Sequence, residues 1–493
     1  MKRFSSIATA LILCSTTLFS QTMNINMGDV TYAIPASQAG EMPFSDGSTL
    51  TVGGRSYLLS ELTNITIDNS SVTDNTVNVT YNGTSAKVLI SGNLAPYVTA
   101  TVNGGHVKVF ASEALQQEVT YTLGGSSNNG SFYMVGEYAI NVILNGLTLA
   151  NPDSAAINIQ DGKMVGIQLA DGTSNSLSDG LTTVSIDDSD GHSAAFYIDG
   201  HSSWSGSGTL TIQGNVKHGF SGDEYVLFTP NLGTINVTSA QSDGFHINQY
   251  FKMQGGTLNI TCLGDGIDVG MKKTDKTDNG CLFIEGGTLT VNTTGNATKG
   301  LKCESNMVVT GGTITATTSG SAIYDASQKD ISSNAAAKCD GTFTMSGGTM
   351  NLTSTGAGGK GINSTGAITI SGGTLTVVTT GEEFAYGADD TKPQGIKSDS
   401  NITLSGGTIL SCASPSSGNP LKTDFSVYTN GATVMGIGGK AVTPVSTSTC
   451  SFKKYSNVKV VGGSTLSYDG VSFSIPSIYN NSSAKVIVSS PNM

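Results

Sequence analysis

The sequence contains very little arginine, tryptophan or charge. Among its 493 residues, charged side chains make up 12 %, tryptophan occurs once, and the formal net charge is −12. Arginine occurs only at Arg3 and Arg55. A negatively charged chain with so few basic residues is a poor partner for nucleic acid or for an anionic membrane surface. Scarce arginine also leaves few bidentate clamps for the carboxylates of an acidic substrate.

Clustered cysteines and long apolar runs are missing too. Six cysteines follow residue 20, and they are Cys262, Cys281, Cys303, Cys339, Cys412 and Cys450. No two of them form a CxxC pair, which argues against a zinc site built from cysteines. Cys303 and Cys339 each precede a Gly-Gly pair at the same spacing, so they form either a ladder of small buried side chains or a disulfide. No later stretch is long and apolar enough to insert into a membrane.

Helical periodicity is absent, and a Gly-Gly-Thr repeat takes its place. The tripeptide lies between two short runs of alternating apolar residues. The copies are QGGTLNI from Gln254, EGGTLTV from Glu285, TGGTITA from Thr310, SGGTMNL from Ser346, SGGTLTV from Ser371 and SGGTIL from Ser405. Their spacing corresponds to a unit of about 24 residues that sometimes carries an insertion, and a fixed period of this size indicates a solenoid.

Three short strands are predicted for each repeat. Apolar residues two apart flank the glycines on both sides, as Leu289 and Val291 do after Gly287, and this is strand periodicity. A second phrase, glycine-aliphatic-polar, supplies the third strand. Its copies are Gly244-Phe245-His246, Gly266-Ile267-Asp268, Gly300-Leu301-Lys302, Gly361-Ile362-Asn363 and Gly395-Ile396-Lys397. The predicted fold class is all-β, a parallel β-helix of about 12 turns.

The chain order predicts four segments. Residues 1–20 resemble a signal peptide, with Lys2 and Arg3 before an apolar stretch, so we expect a secreted or cell-surface protein. Residues 21–137 are predicted as an N-terminal β cap with lead-in strands, 138–424 as the β-helix and 425–493 as a C-terminal β cap. Three insertions, at 270–280, 324–334 and 382–394, follow the same side and could wall a groove.

Aspartates recur at equivalent places in neighbouring repeats. Asp243 and Asp265 occupy the same position in SDGF and GDGI, Asp268 follows closely, and Asp223 lies one turn earlier. Unpaired carboxylates this close repel unless they are protonated or share a cation, and calcium suits hard oxygen ligands. These four aspartates are therefore the predicted Ca²⁺ ligands. The alternative is that they are turn residues bonded to their own backbone. The sequence DDSDG at 187–191 is a weaker calcium pattern.

The polar positions of the third strand predict a binding surface. They form an outward column of His246, Asp268, Lys302, Lys338, Asn363 and Lys397. Such a column could contact the hydroxyls and carboxylates of a sugar chain. The predicted carbohydrate-binding residues are His218, His246, Asn248, Lys299, Lys302 and Lys397. The alternative is a solvated face of weak ion pairs, each contributing about 0–1 kcal/mol.

Several phrases resemble one known family. They are AINVILNGLTLANPDSAAINIQDGKMVGIQLADGTSNSLSDG within 138–180, SGSGTLTIQGNVKHGF at 205–220, SDGFHI at 242–247 and GDGID at 264–268. The chain, from about residue 81 onward, resembles bacterial exported carbohydrate-binding β-helix proteins. The resemblance implies a right-handed parallel β-helix like that of polysaccharide lyases. It also implies calcium-dependent attachment to acidic or cellulosic plant polysaccharides, without lyase activity.

The predicted function is non-catalytic, calcium-assisted binding of extracellular polysaccharide. Acidic glycans such as pectate are favoured, because a single tryptophan and scattered tyrosines do not predict a flat aromatic platform. One alternative is a lyase that acts on uronate polymers by β-elimination, with Lys302 or Lys299 as the base. Others are a surface adhesin or structural β-helix, and an ice-binding solenoid built on outward Thr-x-Thr pairs. The sequence gives no indication of oligomeric state.

Overall fold

The computed structural model of the chain describes residues 21–180, 194–272 and 276–493. The predicted signal peptide, the DDSDG sequence and three residues of the first insertion lie outside these ranges. Within them, helix is limited to α1 (Ala36–Ala39) and a 3₁₀ turn at Gly92–Leu94, and strands dominate. The all-β prediction is confirmed. None of the described helices has the length and apolarity needed to cross a membrane.

The described residues form two compact units. The first contains 21–180 and Phe196–Gly208, and the second contains 194–195 and Thr209–Met493. The strands up to the first boundary are β1 (Thr22–Met27), β2 (Val30–Pro35), β3 (Phe44–Ser45), β4 (Thr49–Val52), β5 (Arg55–Leu58), β6 (Asn64–Asp68), β7 (Thr76–Asn82), β8 (Ser85–Ser91), β9 (Val98–Asn103), β10 (Gly105–Ala111), β11 (Val119–Ser127), β12 (Gly130–Val135), β13 (Ile140–Asn151), β14 (Ile157–Gln160), β15 (Met164–Leu169), β16 (Ser174–Asp179), β17 (Ala194–Ile198) and β18 (His201–Ser205).

Pairing in the first unit changes along the chain. Most pairs among its early strands are antiparallel, as β1 is with β2 and β6, and β7 with β8, although β2 pairs parallel with β8. Later strands pair parallel, with β11 joining β13, β13 joining β15, and β10 joining β12. Alternate side chains of these strands are buried, including Val107 and Val109 of β10. The first unit therefore begins with hairpins and continues with parallel strands.

The second unit contains the Gly-Gly-Thr repeats. Its strands are β19 (Thr209–Gly214), β20 (His218–Gly222), β21 (Val226–Phe228), β22 (Thr234–Ala240), β23 (Phe245–Asn248), β24 (Tyr250–Met253), β25 (Thr257–Cys262), β26 (Ile267–Gly270), β27 (Cys281–Ile284), β28 (Thr288–Thr293), β29 (Lys299–Cys303), β30 (Met307–Val309), β31 (Thr313–Thr318), β32 (Ile323–Asp325), β33 (Asp330–Ser332), β34 (Ala335–Cys339), β35 (Phe343–Met345), β36 (Thr349–Ser354), β37 (Lys360–Ser364), β38 (Ile368–Thr379), β39 (Phe384–Tyr386), β40 (Asp389–Thr391), β41 (Gln394–Ser398), β42 (Ile402–Cys412), β43 (Asn419–Lys422), β44 (Val427–Thr429), β45 (Thr433–Gly438), β46 (Phe452–Val460), β47 (Thr465–Tyr468), β48 (Val471–Ser474) and β49 (Asn481–Ser489).

These strands stack in three parallel columns, as the repeat predicts. Strands before the glycines pair with their counterparts in the next repeat, as β24 does with β27. Strands after the threonine do the same, as β25 does with β28. The glycine-aliphatic-polar strands form a separate sheet, which runs through this unit from β20 to β43. Three stacked columns of parallel strands are consistent with a β-helix-like solenoid.

Glycine is required in the repeats for two different reasons. The second glycine of each Gly-Gly pair lies in the left-handed region, as Gly287 does at φ 80°. The glycine that opens the third strand is needed for close approach. A Cβ on Gly266 would lie 2.2 Å from Cγ1 of Val291 and 2.4 Å from the carbonyl oxygen of Gly300. The two glycine positions therefore fix a turn and the distance between adjacent coils.

The core of the second unit consists of the inward side chains of these columns, and it includes the cysteines. All six cysteines are buried free thiols. Cys303 and Cys339 are partners in the parallel register of β29 and β34. They belong to a buried ladder, which is the first of the two alternatives, and no disulfide joins them. Beyond β44, strand β49 pairs antiparallel with β45 and β46.

The second and third predicted insertions form β-hairpins. Strand β32 pairs with β33, and β39 pairs with β40. The rings of Tyr324 and Tyr386 stack 4.2 Å apart between centroids, at an angle of 13°. Ser333 and Thr391 also hydrogen-bond through their hydroxyls at 3.2 Å. The two hairpins therefore contact each other, although they lie in different repeats.

Candidate functional site

The polar column predicted from the sequence is aligned by the strand register. The Cα partners in successive strands are His246 with Asp268, Asp268 with Lys302, Lys302 with Lys338, Lys338 with Asn363, Asn363 with Lys397, and Lys397 with Lys422. Adjacent strands of a sheet lie about 4.8 Å apart, so these side chains leave one face at regular intervals. We call this set the polar column.

The lysines of the polar column are about one-quarter exposed and paired with acids. Side-chain exposure is 25 % for Lys302, 27 % for Lys338 and 26 % for Lys397. Three lysines contact the aspartate two residues further on, and the pairs are Lys338–Asp340 at 2.8 Å, Lys397–Asp399 at 2.7 Å, and Lys422–Asp424. Pairs of this kind are weak, because solvent screens the attraction between their charges. Their lysines can therefore exchange an aspartate for another anion at little cost.

Asp243, Asp265 and Asp268 lie together at one end of the polar column. Asp243 Oδ1 accepts the backbone N–H of Asp265 at 2.8 Å. Asp265 Oδ1 accepts the backbone N–H of Lys299 at 2.6 Å. Each of these two carboxylates thus binds the backbone of the following coil. The predicted alternative, in which aspartates bond their own turn, does not describe these contacts.

Two cations lie against the same carboxylates. His246 Nδ1 is 3.2 Å from Asp243 Oδ2 and 3.5 Å from Asp268 Oδ2. Lys302 Nζ is 2.9 and 3.0 Å from the two oxygens of Asp268, and 3.5 Å from Asp265 Oδ2. The carboxylates are therefore paired. The sequence pattern alone had indicated unpaired acids that need a shared metal ion.

This pairing controls the protonation of the cluster. Burial alone would lower the pKa of His246, but the carboxylates of Asp243 and Asp268 outweigh it and raise that pKa to about 9. Burial disfavours the charged form of Asp268, yet His246 and Lys302 lower its pKa. Burial raises the pKa of Asp265 to about 6 despite the nearby Lys302 and Lys299. The cluster holds both charges of the His246–Asp268 pair at neutral pH.

His218 joins this cluster from the preceding coil. Its ring stacks on the ring of His246, with centroids 4.6 Å apart and planes at 16°. Its Nδ1 lies 3.2 Å from Asp243 Oδ2, and the backbone N–H of Asp243 donates to the same nitrogen at 3.2 Å. Burial lowers the pKa of His218, opposed by Asp243. His218, Asp243 and His246 each offer a ligand atom, all within 4.8 Å of one another.

Asp223 and Asn248 form a separate contact. Asn248 Nδ2 donates to Asp223 Oδ1 at 2.9 Å, and Lys272 Nζ lies 2.7 Å from Asp223 Oδ2. Lys276 Nζ lies 3.4 Å from a carboxylate oxygen of the neighbouring Glu224. Asp223 therefore connects the first insertion to the coil. It contacts this lysine and asparagine, while the other three predicted metal ligands contact His246 or Lys302.

The remaining predicted residues have local partners. Lys299 Nζ donates to the carbonyl oxygen of Ala297 at 2.6 Å and to Ser332 Oγ at 3.3 Å. Burial lowers the pKa of Lys299, and Asp265 opposes this. Lys397 Nζ contacts Asn363 Oδ1 at 3.3 Å. Lys299 thus lies beside the aspartate cluster, and Lys397 lies further along the polar column.

The donor set of the cluster fits a resident calcium ion poorly. Calcium takes six to eight oxygen ligands. One oxygen each of Asp243 and Asp265 is used by a backbone N–H, while His246 and Lys302 face the others. Two of the side chains are imidazoles, which suit zinc, copper or nickel rather than calcium. The carboxylates alone do not form a calcium cage.

The first unit contains a cleft that the sequence pattern did not predict. Its volume is about 770 Å³, and its lining includes His106, Lys108 and Phe110 from one face of β10. The Phe110 and Tyr133 rings lie 6.5 Å apart, and Lys108 Nζ lies 5.6 Å from the Tyr133 ring centroid. The alternation of apolar and polar residues in β10 was visible in the sequence. The aromatic residue that faces its polar side comes from β12, which the sequence did not identify as the parallel neighbour of β10.

The second unit contains a buried lysine, Lys360, that was not predicted from the sequence. Lys360 Nζ donates to Gly358 O, Thr391 Oγ1 and Lys392 O, each at 2.7 Å. Burial lowers its pKa to about 7. This side chain connects its strand to the hairpin of the third insertion. Lys360 immediately precedes the glycine of its third strand, as Lys299 does in its own repeat. This shared position was the feature of the sequence that could have predicted a role for Lys360.

Stacked parallel strands with an outward column of charged side chains are typical of repeat proteins. Proteins of this class present long polar surfaces. The chain belongs to a family of carbohydrate-binding domain-containing proteins, whose model matches residues 103–383 and 332–439. The family resemblance noted in the sequence is confirmed. A solved polysaccharide lyase-like protein from C. thermocellum is 21 % identical, with 60 % of this chain and 96 % of that chain covered and a TM-score of 0.39. No curated protein matches the chain.

Proposed function

We propose that this protein binds extracellular polysaccharide along the polar column without cleaving it, and that it prefers acidic glycans such as pectate. Membership of a carbohydrate-binding family supports the general activity. The single observation that carries the preference is the register that places Lys302, Lys338, Lys397 and Lys422 on one face. A polymer with carboxylates at regular intervals is the ligand that such a row of ammonium groups suits.

The state of the two candidate bases supports binding over catalysis. Burial opposes the charge on Lys302, but Asp268 and Asp265 raise its pKa above the ordinary lysine value. An ammonium held in this way is a poor base at neutral pH. Lys299 has a lowered pKa, yet its Nζ already donates to Ala297 O and Ser332 Oγ. Lysis of uronate polymers remains the alternative, with Lys299 as the base to test.

Calcium assistance is proposed for the complex with an acidic glycan. A calcium ion needs more oxygen ligands than Asp265 and Asp268 provide, and the glycan carboxylates would supply the others. Asp265 and Asp268 are the residues that would hold such an ion, and Lys302 is its competitor for them. A bridging ion would link a protein carboxylate to a glycan carboxylate. Chelation should then weaken binding to acidic glycans and leave binding to neutral glycans unchanged.

We propose that residues 138–424 form a right-handed parallel β-helix of about 12 turns, with β caps at 21–137 and 425–493. We further propose export by the signal peptide at 1–20, which would bring the protein to the cell surface or the medium. A secreted or surface location would give it access to extracellular polysaccharide.

Affinity electrophoresis tests the proposal. The chain is run through gels that contain polygalacturonate or a neutral glucan, with calcium or with chelator, while unsaturated product is followed by ultraviolet absorbance. We expect retardation by polygalacturonate, partial loss with chelator and no product. The double variant Lys338→Gln/Lys397→Gln should bind at least about tenfold more weakly, since it loses two charge-assisted contacts. Lys485→Gln, an exposed lysine outside the polar column, is the matched control.

Three results would overturn parts of this proposal. Product formation would make the protein a lyase, and its loss in Lys299→Met would identify the base. Equal retardation by acidic and neutral glycans, unaffected by chelator, would remove the acidic preference. Unchanged binding in the double variant, with loss in Tyr133→Ala, would move the binding surface to the cleft of the first unit, where aromatic rings can stack on sugars.

A further inference from the structure

Two imidazoles converge on one carboxylate oxygen in the second unit. His218 opens strand β20, and His246 lies on the next strand of the same sheet. Both Nδ1 atoms lie 3.2 Å from Asp243 Oδ2. The other oxygen of Asp243 accepts the backbone N–H of Asp265. Oδ2 is therefore the oxygen that faces both rings.

His218 Nδ1 has one lone pair, and two groups of Asp243 face it. His218 Nδ1 accepts the backbone N–H of Asp243, so this nitrogen presents a lone pair. The same nitrogen faces Asp243 Oδ2, which is also an acceptor. If Nδ1 instead carried a proton for the carboxylate, the backbone N–H would lose its acceptor. A cation between the nitrogen and Oδ2 would be bound by both atoms, and it would replace the backbone N–H as the partner of Nδ1.

The distances match those of a small tetrahedral metal site. Zinc binds imidazole nitrogen and carboxylate oxygen at about 2.0–2.2 Å, which separates two tetrahedral ligand atoms by about 3.4 Å. The two nitrogen–oxygen distances to Asp243 are 3.2 Å, and Asp268 Oδ2 lies 3.5 Å from His246 Nδ1. The three ligand atoms of His218, Asp243 and His246 lie within 4.8 Å of one another. The two histidine–aspartate distances are thus close to those of a metal site, and the two imidazole nitrogens lie within 4.8 Å of each other.

We propose that His218, Asp243 and His246 bind a divalent transition-metal ion of the zinc type, with Asp268 as a further oxygen ligand. Two imidazoles and a carboxylate are typical ligands for this class of metal and unusual ones for calcium. The His246 side chain is 34 % exposed, so an ion can reach the group from solvent. Because His246 begins the polar column, a bound dication adds positive charge at that end. Metal binding by these residues does not require a bound glycan.

Metal titration tests this inference directly. The whole chain is stripped with chelator, which is then removed, and is titrated with Zn²⁺ by calorimetry and with Co²⁺ by visible absorption. We expect one equivalent of each metal to bind, with cobalt bands of a nitrogen- and oxygen-ligated site. His246→Gln should weaken Zn²⁺ binding by at least about 100-fold, because loss of even an outer partner costs 10–100-fold. His106→Gln, at a histidine of the first unit, is the control and should bind as the wild type does.

The outcomes separate this site from the proposed function. No stoichiometric Zn²⁺ or Co²⁺ binding by the wild type would overturn the inference, as would unchanged binding in His246→Gln. Displacement of Co²⁺ by millimolar Ca²⁺ as readily as by Zn²⁺ would also overturn it, since the site would then be a calcium site. The buried His218 is avoided as the main variant because its loss can impair folding. If the wild type binds Zn²⁺ but is not retarded by polygalacturonate, the metal site is supported and only the glycan proposal is contradicted.

Discussion

At the scale of single residues, the balance of charge decides the role of the predicted metal ligands. Asp268 is the clearest case, because His246 and Lys302 both contact it. The sequence showed that acids recur at equivalent positions, but the cations that meet them come from neighbouring coils. Lys302 is 34 residues after Asp268, and its pairing depends on the length of the insertion between them. Residue spacing therefore predicted that His246, Asp268 and Lys302 share one column, but it did not show which acid each cation contacts.

The pH dependence of stability should reveal the charge on His246 in metal-free protein. Its folded pKa of about 9 exceeds the ordinary value of 6.5, so the folded state binds the proton more tightly than the unfolded state. The resulting stabilisation is fully present below pH 6.5 and is lost as pH rises through 9. After allowance for solvent screening, we expect it to contribute about 1–2 kcal/mol.

Denaturant unfolding of wild type and His246→Gln, in chelator from pH 6 to pH 10, measures this contribution. The difference in the free energy of unfolding should shrink as the pH rises, because the neutral imidazole loses its attraction to Asp243 and Asp268. His106→Gln provides the baseline for a histidine substitution outside the cluster. A difference that stays constant over this range would show that His246 contributes through packing rather than charge.

At the scale of strands, the repeat predicted most of what the second unit contains. The alternation of apolar residues and the constant place of the glycines determine which side chains face inward, because strand periodicity is two. His246, Asp268 and Lys302 accordingly lie in one column. The hairpin contact between Tyr324 and Tyr386 was not predictable, since the insertions break the period and their side chains meet through tertiary packing.

The glycine that immediately precedes the third strand should be difficult to replace. Gly266→Ala would place a methyl group 2.2 Å from Cγ1 of Val291 and 2.4 Å from the backbone oxygen of Gly300. Because the oxygen belongs to the adjacent coil, relief requires that the two coils separate. We expect a loss of about 1–3 kcal/mol or more in the free energy of unfolding.

Gly387→Ala supplies the comparison for this prediction. Gly387 lies in a hairpin with nothing within 4 Å of the added carbon, although its φ is 63°. Its substitution should cost only the conformational penalty of about 1 kcal/mol. Thermal and denaturant unfolding of both variants measure the two costs. Equal losses would mean that the coils adjust to a side chain at Gly266, and that glycine there serves local backbone conformation instead.

At the scale of the whole molecule, net charge and the polar column act in opposite directions on an anionic polymer. The chain carries a formal charge of −12, whereas the column concentrates lysines on one face. Screening separates the two effects because they act over different distances. The Debye length is about 30 Å at 0.01 M salt, about 10 Å at 0.1 M and about 3 Å at 1 M.

Affinity for polygalacturonate should therefore pass through a maximum as salt increases. At the lowest ionic strength the net negative charge of the whole protein repels the polymer. Near 0.1 M that long-range repulsion is screened, and the polymer interacts mainly with the lysines next to it. Near 1 M their attraction is also screened, so affinity should fall again by about tenfold or more. Affinity electrophoresis in chelator over this range measures the profile, with a neutral glucan as the control that should not respond. In Lys338→Gln/Lys397→Gln the decline at high salt should largely disappear, because two of the charges that cause it are removed. Affinity that rises steadily with salt in the wild type would instead indicate contacts through uncharged groups, such as the rings of the first-unit cleft.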